Sequence, residues 1–210
     1  MRVALMSYHK NLTMYPESWI DEYRSSVLDQ TYRKFDIYEV DYGASGNRIF
    51  QPKAYLNQTF ESFNHVQNFL LDFLFDDGYD AVFNSNVDDK YSLSWIEKMV
   101  EQIKKGYDLV SCNFLLFDEE RLIHKHENFH TLNIEKELAY DHNPICHPAV
   151  CYSRKFWERG NRYNPDDVAN KNEDMRLWQR AIKNSRFIIL KENLCYHRIH
   201  QNSVCHSNNK

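Results

Sequence analysis

Apolar positions follow two rhythms along this chain, and the rhythms alternate. Val3 to Ser7 is a short apolar run ending in small and polar residues, the pattern of a buried strand. After Pro16, the residues Trp19, Ile20, Tyr23 and Val27 recur at helical spacing. Phe35 to Val40 alternates and is rich in β-formers, and a glycine-containing turn from Asp41 to Asn47 follows it. Between Phe60 and Phe75, the residues Phe63, Val66, Leu70, Phe73 and Leu74 keep helical period. Tyr79 to Phe83 then reads as a strand, with polar residues taking over at Asn84. Ser92 to Lys105 predicts a third helix, with Ile96, Met99, Val100 and Ile103 on one face and Gly106 placed to end it. Tyr107 to Phe117 predicts the next strand.

This order predicts an α/β sheet with helices on both faces, in which ligands gather at the carboxyl ends of the strands. From Asp118 to Asn143 the regularity fades, and the stretch carries four histidines. His147 to Tyr152, Met175 to Ile182 and Phe187 to Leu190 then restore strand, helix and strand. No linker or internal repeat divides the chain, so the expectation is a single compact domain over residues 1–210.

Composition narrows the function. With 26 Lys+Arg against 30 Asp+Glu the formal charge is -4, so no overall basic excess points to nucleic acid or an anionic membrane. The most apolar stretch, Val66 to Phe75, is interrupted by Gln67, Asn68 and Asp72 and falls short of the roughly 18 apolar residues of a membrane span. The short apolar start lacks the longer core and cleavage site of a secretory signal, and five cysteines, an odd number, fit reduced thiols. A cytoplasmic location is expected.

Four motifs carry candidate chemistry. Asn86-Val87-Asp88-Asp89 follows a strand, where fixed carboxylates can hold a divalent cation against a diphosphate, although acidic pairs there also cap helices. Asp41 opens a glycine turn, Asp41-Tyr42-Gly43-Ala44-Ser45-Gly46-Asn47, and can accept hydrogen bonds from a base or ribose; the turn lacks a Walker lysine and GxGxxG spacing. Glu173 and Asp174 open a helix carrying Met175, Trp178, Ala181 and Ile182, where they serve either the macrodipole or general base catalysis. The tail Tyr196-His197-Arg198-Ile199-His200-Gln201-Asn202-Ser203 alternates groups able to meet metal or phosphate.

In this order the motifs resemble the family-2 glycosyltransferases of the GT-A fold, over nearly the whole chain. Ser26 to Tyr32 is similar to the family's helix end before the second strand, and Asp41 with its turn to the base-binding aspartate. Asn86-Val87-Asp88-Asp89 stands where the DxD-type metal motif belongs, with Asn86 replacing its first aspartate. His147-Pro148-Ala149-Val150 with Gly160 to Tyr163 resembles the acceptor-side strand and loop. Glu173-Asp174 with Trp178 resembles the motif supplying the base, and Arg198-Ile199-His200 the closing tail. The compact chain is also similar to transferase domains of large viruses that modify capsid glycoproteins.

The resemblance implies a Rossmann-like mixed sheet, with residues 1–117 as the nucleotide-sugar half and 118–210 as the acceptor half and tail. It implies Ser7, Tyr8, Asp41, Asn86 and Asp88 at the nucleotide-sugar, and Mn²⁺ or Mg²⁺ on Asp88 with His200, or with His197. Asp174, then Glu173, would be the base. The implied reaction is inverting transfer of a hexosyl or deoxyhexosyl group from a UDP-sugar to a hydroxyl on a glycan or glycoprotein. The processive QxxRW sequence is absent, which implies single transfers. Two other readings stand beside it: a nucleotidyltransferase acting on sugar phosphates, and a non-catalytic zinc module using Cys146, His147, Cys151, Cys195, His197, His200 and Cys205.

Overall fold

The computed structural model describes residues 1–118, 122–123, 129–170 and 172–200. Strand β1 (Val3–His9) runs two residues past the apolar run, because Tyr8 and His9 keep pairing with β2 (Asp36–Asp41). Helix α1 (Glu17–Leu28) joins them. A short strand absent from the apolar pattern, β3 (Ala54–Asn57), adds parallel to β2 at the edge. Helix α2 (Phe63–Asp76) leads to β4 (Ala81–Ser85), parallel to β1 on its other side. Next come β5 (Lys90–Tyr91), α3 (Trp95–Lys104), β6 (Leu109–Phe117) and β7 (Leu122–Ile123). After α4 (Ile134–Ala139), β8 (Cys151–Ser153), α5 (Arg154–Glu158) and α6 (Glu173–Ala181), the described chain ends in β9 (Phe187–Arg198).

The strands form one sheet in the order β3-β2-β1-β4-β8-β6-β9-β5, with β7 on β6. It is mixed: β8 is antiparallel to β4 and β6, and β9 runs parallel to β6. Strand alternation separates two cores. Val3 and Leu5 pack with Tyr23 and Val27 of α1 and with Trp95, Ile96 and Met99 of α3. Ala4, Met6 and Tyr8 face α2, α5 and α6. Chain order thus reverses between β1 and β4, and a crevice opens at their carboxyl ends.

Three expectations need correction. His147–Ala149 is a tight helical turn and the strand there is only Cys151–Ser153, since Pro148 lacks the N–H a ladder needs. Phe187 to Leu190 is the start of a twelve-residue strand that absorbs Tyr196, His197 and Arg198. On α2, Phe73 is exposed, while Asn64 and Gln67 are fully buried. Asn64 Nδ2 donates to Asn164 O at 2.7 Å and Gln67 Nε2 to Asn84 Oδ1 at 3.2 Å, so the buried arc is set by partners that hydropathy ignores. Among the described residues no helix is long and apolar enough to cross a membrane.

The stretch from Ser26 to Tyr32 works as a staple between α1 and α3. Buried Gln30 donates from Nε2 to Ser26 O (2.8 Å) and Ser92 O (2.7 Å), and its Oε1 accepts from Ile96 N (3.0 Å). Gln30→Ala removes all three bonds and strands enclosed backbone groups. It should lower unfolding free energy by about 2–4 kcal/mol in urea titration, whereas loss of a merely exposed glutamine changes it by less than about 0.5 kcal/mol.

Candidate active site

The crevice begins with three strand ends. Ser7 and His9 point to the α1 side with Glu39 and Asp41 of β2, while Tyr8 points to the opposite side with Asn84. The Ser7 hydroxyl is enclosed without a hydrogen-bond partner. Tyr8 Oη lies 2.8 Å from Asn84 Oδ1 and 3.1 Å from Asn86 Oδ1, and burial pushes its phenol pKa up so that it stays a donor. Asn84 is a fully buried hub: it also accepts from Gln67 Nε2 (3.2 Å) and donates to His147 O (2.9 Å).

Asp41 organises its own turn. Its carboxylate accepts from Gly43 N (3.2 Å), Ser45 Oγ (2.7 Å), Gly46 N (2.7 Å) and Tyr55 Oη (3.2 Å). Burial alone would raise its pKa, but Ser45, Gly46, His9 and Gly43 together hold it below the ordinary carboxylate value. A Cβ on Gly43 would stand 1.7 Å from Lys10 O, so the turn lies directly on the end of β1. Beneath it sits a pair not identified in the motif reading: buried His9 Nε2 lies 3.1 Å from Glu39 Oε1, and Glu39 accepts from Ile49 N (2.7 Å) and Phe50 N (3.0 Å). The available signal was period two, which puts Glu39 on the same inward face as Ile37.

The turn after β4 meets the tail strand. Asn86 N donates to Tyr91 Oη (2.8 Å), whose own proton goes to Pro148 O (2.9 Å). Asp88 Oδ2 lies 3.0 Å from His200 Nε2, both side chains being largely enclosed. Asp89 is fully buried and accepts through Oδ1 from His197 Nδ1 and Arg198 N, each at 2.9 Å. Burial raises its pKa, His197 opposes that, and the charge of Asp88 adds to it. Arg198 donates to Asp88 O (3.0 Å), pairs with Glu22 of α1 and lies 4.5 Å over the Trp19 ring. Gln201, Asn202, Ser203 and Cys205 lie outside the described residues.

Asp88 Oδ2 and His200 Nε2 are hydrogen-bonded at 3.0 Å, and they are the carboxylate and imidazole here that could ligate a divalent cation. Among the described residues no three His, Cys, Asp or Glu side chains converge to hold a metal, so further ligands would be phosphate oxygens and water. Among the described residues the set considered for zinc forms no group of three ligands: His147, His197 and His200 bond to Tyr163, Asp89 and Asp88, and Cys146, Cys151 and Cys195 are buried free thiols.

Across the crevice, Asn172 occupies the cap of α6, which leaves Asp174 in the first turn rather than at the cap itself. Asp174 Oδ2 accepts from Asn143 Nδ2 (3.0 Å) and Oδ1 from Met175 N (2.8 Å). Asn143, itself tied to Ile145 N at 3.1 Å, carried no signal in the sequence. Glu173 and Asp174 are both half-buried. Hydrogen bonds thus run from Asn86 through Tyr8 and Asn84 to the His147 backbone, whose ring packs against Trp178 of the helix that Glu173 and Asp174 open.

Comparison with solved structures agrees with this architecture. S. aureus TarS 1-349 in complex with UDP-GlcNAc matches with TM-score 0.71 and 12% identity, over 97% of this chain and 60% of that one. The same protein with UDP gives 0.69 and 15%, over 95% and 61%. The mannosyltransferase PcManGT from Pyrobaculum calidifontis, in complex with GDP-Man and Mn²⁺, gives 0.65 and 12%, over 96% and 58%. The chain thus spans about three fifths of the length of these structures. No protein-family model and no curated protein sequence matches it. The fold is the GT-A fold of glycosyltransferases.

The close approach at Gly43 is directly testable. Gly43→Ala must push the Asp41 turn off Lys10 and should cost about 1–3 kcal/mol of stability in urea titration. An unchanged midpoint would contradict the packing described.

Proposed function

We propose that the chain is an inverting, non-processive glycosyltransferase that moves a hexosyl or deoxyhexosyl group from a UDP-sugar to a hydroxyl on a glycan or glycoprotein. The reading is supported by Asp88 with His200 after the carboxyl end of β4, at the switch point of a sheet that matches glycosyltransferases, and by Asp174, held by Asn143 at the start of α6. The UDP and UDP-GlcNAc complexes of TarS and the GDP-Man and Mn²⁺ complex of the mannosyltransferase support a nucleotide-sugar donor.

In this reading residues 1–117 supply most of the donor side, with Ser7, Tyr8, Asp41 and Asn86 shaping the nucleotide-sugar site. Residues from 118 onward supply the acceptor side. Asp88 and His200 hold Mn²⁺ or Mg²⁺. When bound, the ion neutralises charge that builds on the departing diphosphate. Asp174 takes the proton of the acceptor hydroxyl as its oxygen bonds to the anomeric carbon. The electron pair of the broken carbon–oxygen bond leaves with the diphosphate, and attack from the opposite face inverts the centre. Asn143 and the Met175 amide fix the Asp174 oxygens, so little reorganisation precedes proton transfer. Glu173 is the second candidate for the base.

Titration calorimetry with UDP should show binding that depends on Mn²⁺ or Mg²⁺ and is abolished by EDTA. Asp88→Asn should weaken it on the order of tenfold or more without changing the melting temperature. Equal affinity with and without metal would remove the ion from the reading.

Asp174→Asn keeps the shape of the side chain and leaves the Asn172 cap in place. Transfer should fall by roughly 100- to 10,000-fold with UDP affinity preserved, and the melting temperature should drop only slightly, since Asn can accept just one of the two hydrogen bonds that Asp174 accepts. A parental rate would transfer the assignment to Glu173.

A further inference from the structure

His147 sits where the two sides of the crevice meet. Its ring packs between Phe63 at the start of α2 and Trp178 of α6, each at a centroid distance of 6.1 Å. Trp178 is one turn along α6 from Asp174, on the same helix face. The backbone oxygen of His147 is held by Asn84, two residues before Asn86. The imidazole is thus framed by the elements that carry the metal-side turn and the base.

Hydrogen-bond accounting settles which nitrogen of this ring carries the proton. Tyr152 Oη lies 2.7 Å from Tyr163 Oη, which lies 2.8 Å from His147 Nε2. Tyr152 is completely buried, and among the described residues its hydroxyl has no other partner. An enclosed O–H left unpaired costs about 1–3 kcal/mol. Tyr152 therefore donates to Tyr163, and Tyr163 donates onward to His147 Nε2. Nε2 is an acceptor, so the ring proton is on Nδ1. Burial also lowers the His147 pKa, against the opposing pull of Asp174 and Glu173, which favours a neutral ring near pH 7. Among the described residues Nδ1 makes no hydrogen bond, yet it is not one of the fully enclosed unpartnered atoms, so on this half-buried residue it keeps some access to solvent.

We propose that His147 is a substrate-contacting residue of the transfer site, a neutral imidazole whose Nδ1–H donates to a carbohydrate hydroxyl bound beside Asp174. Tyr163 and Tyr152 are its positioning residues, because their chain of phenols dictates the tautomer. The inference rests on the glycosyltransferase reading, which assigned His147 only to an acceptor-side loop. It predicts a site that orders a polar, hydroxyl-bearing ligand through a donor that carries no charge.

Long-range ¹H–¹⁵N correlation spectra of the intact protein at pH 7 should show His147 as the neutral Nδ1–H tautomer; an Nε2–H tautomer overturns the proposal. Tyr152→Phe should then shift the ring toward Nε2–H. Two substitutions separate the ring edges: His147→Asn keeps an amide donor near Nδ1, and His147→Gln keeps a group near Nε2 for Tyr163. His147→Gln should lose roughly 10- to 100-fold in transfer with UDP affinity unchanged, and His147→Asn should lose clearly less. The reverse order, or equal losses, would make His147 a structural partner of Tyr163 and overturn the proposal. A parent protein that binds no UDP with Mn²⁺ or Mg²⁺ overturns the glycosyltransferase reading and this proposal together. Failure of the His147 pattern with UDP binding and Asp174 dependence intact overturns this proposal alone.

Discussion

A carboxylate shut away from water must find its donors inside the protein, and Asp89 finds them at the far end of the chain. His197 Nδ1 and Arg198 N both reach its Oδ1, across separations of 108 and 109 residues. Burying such a charge without partners would cost several kcal/mol, so the turn after β4 and the end of β9 are held to each other. The geometry of the candidate site depends on that closure. It sets His200 against Asp88, brings Arg198 to Glu22 and Trp19 of α1, and gives the short strand β5 its partner. Asp89 serves as the anchor of the tail, which leaves Asp88 as the carboxylate available to a ligand.

The same economy governs the other side of the crevice. The turn after β4 is tied to the His147 turn by amides and a phenol: Asn86, Tyr8, Asn84 and the backbone of His147. Asn84 is satisfied on both ends of its amide, by Tyr8 and Gln67 at the oxygen and by His147 O at the nitrogen. Enclosed and mutually satisfied groups of this kind tolerate little displacement, since any shift leaves a buried donor or acceptor unpaired. The network therefore fixes the Asn86 turn against the His147 turn, and it is built from neutral groups.

Hydrophobic period was sufficient to locate α1, α2, α3 and the strands β1, β2, β4 and β6, because each helix buries one face against one layer and these central strands are short, mostly buried runs. Short edge elements escaped it: β3, β5 and α4 are too brief to show a period, and their backbone bonds come from strands or loops remote in sequence. The polar face of α2 escaped it for another reason, since Asn64 and Gln67 are buried with hydrogen bonds to Asn164 O and Asn84 Oδ1.

By itself the sequence determined the alternation of helices and strands, the mixed charge, and the presence of carboxylates at Asp88, Glu173 and Asp174 beside element ends. These are local properties, set by side-chain type and spacing within a few residues. Only the tertiary structure decided that β8 and β9 enter the sheet beside β4 and β6, that Asp89 is an anchor, that Asn143 braces Asp174, and that His9 and Glu39 support the Asp41 turn. Each of those depends on a buried polar group choosing among many equally plausible partners. That choice is made by the burial of the whole sheet, which fixes the few donors and acceptors within 3 Å or so of one another.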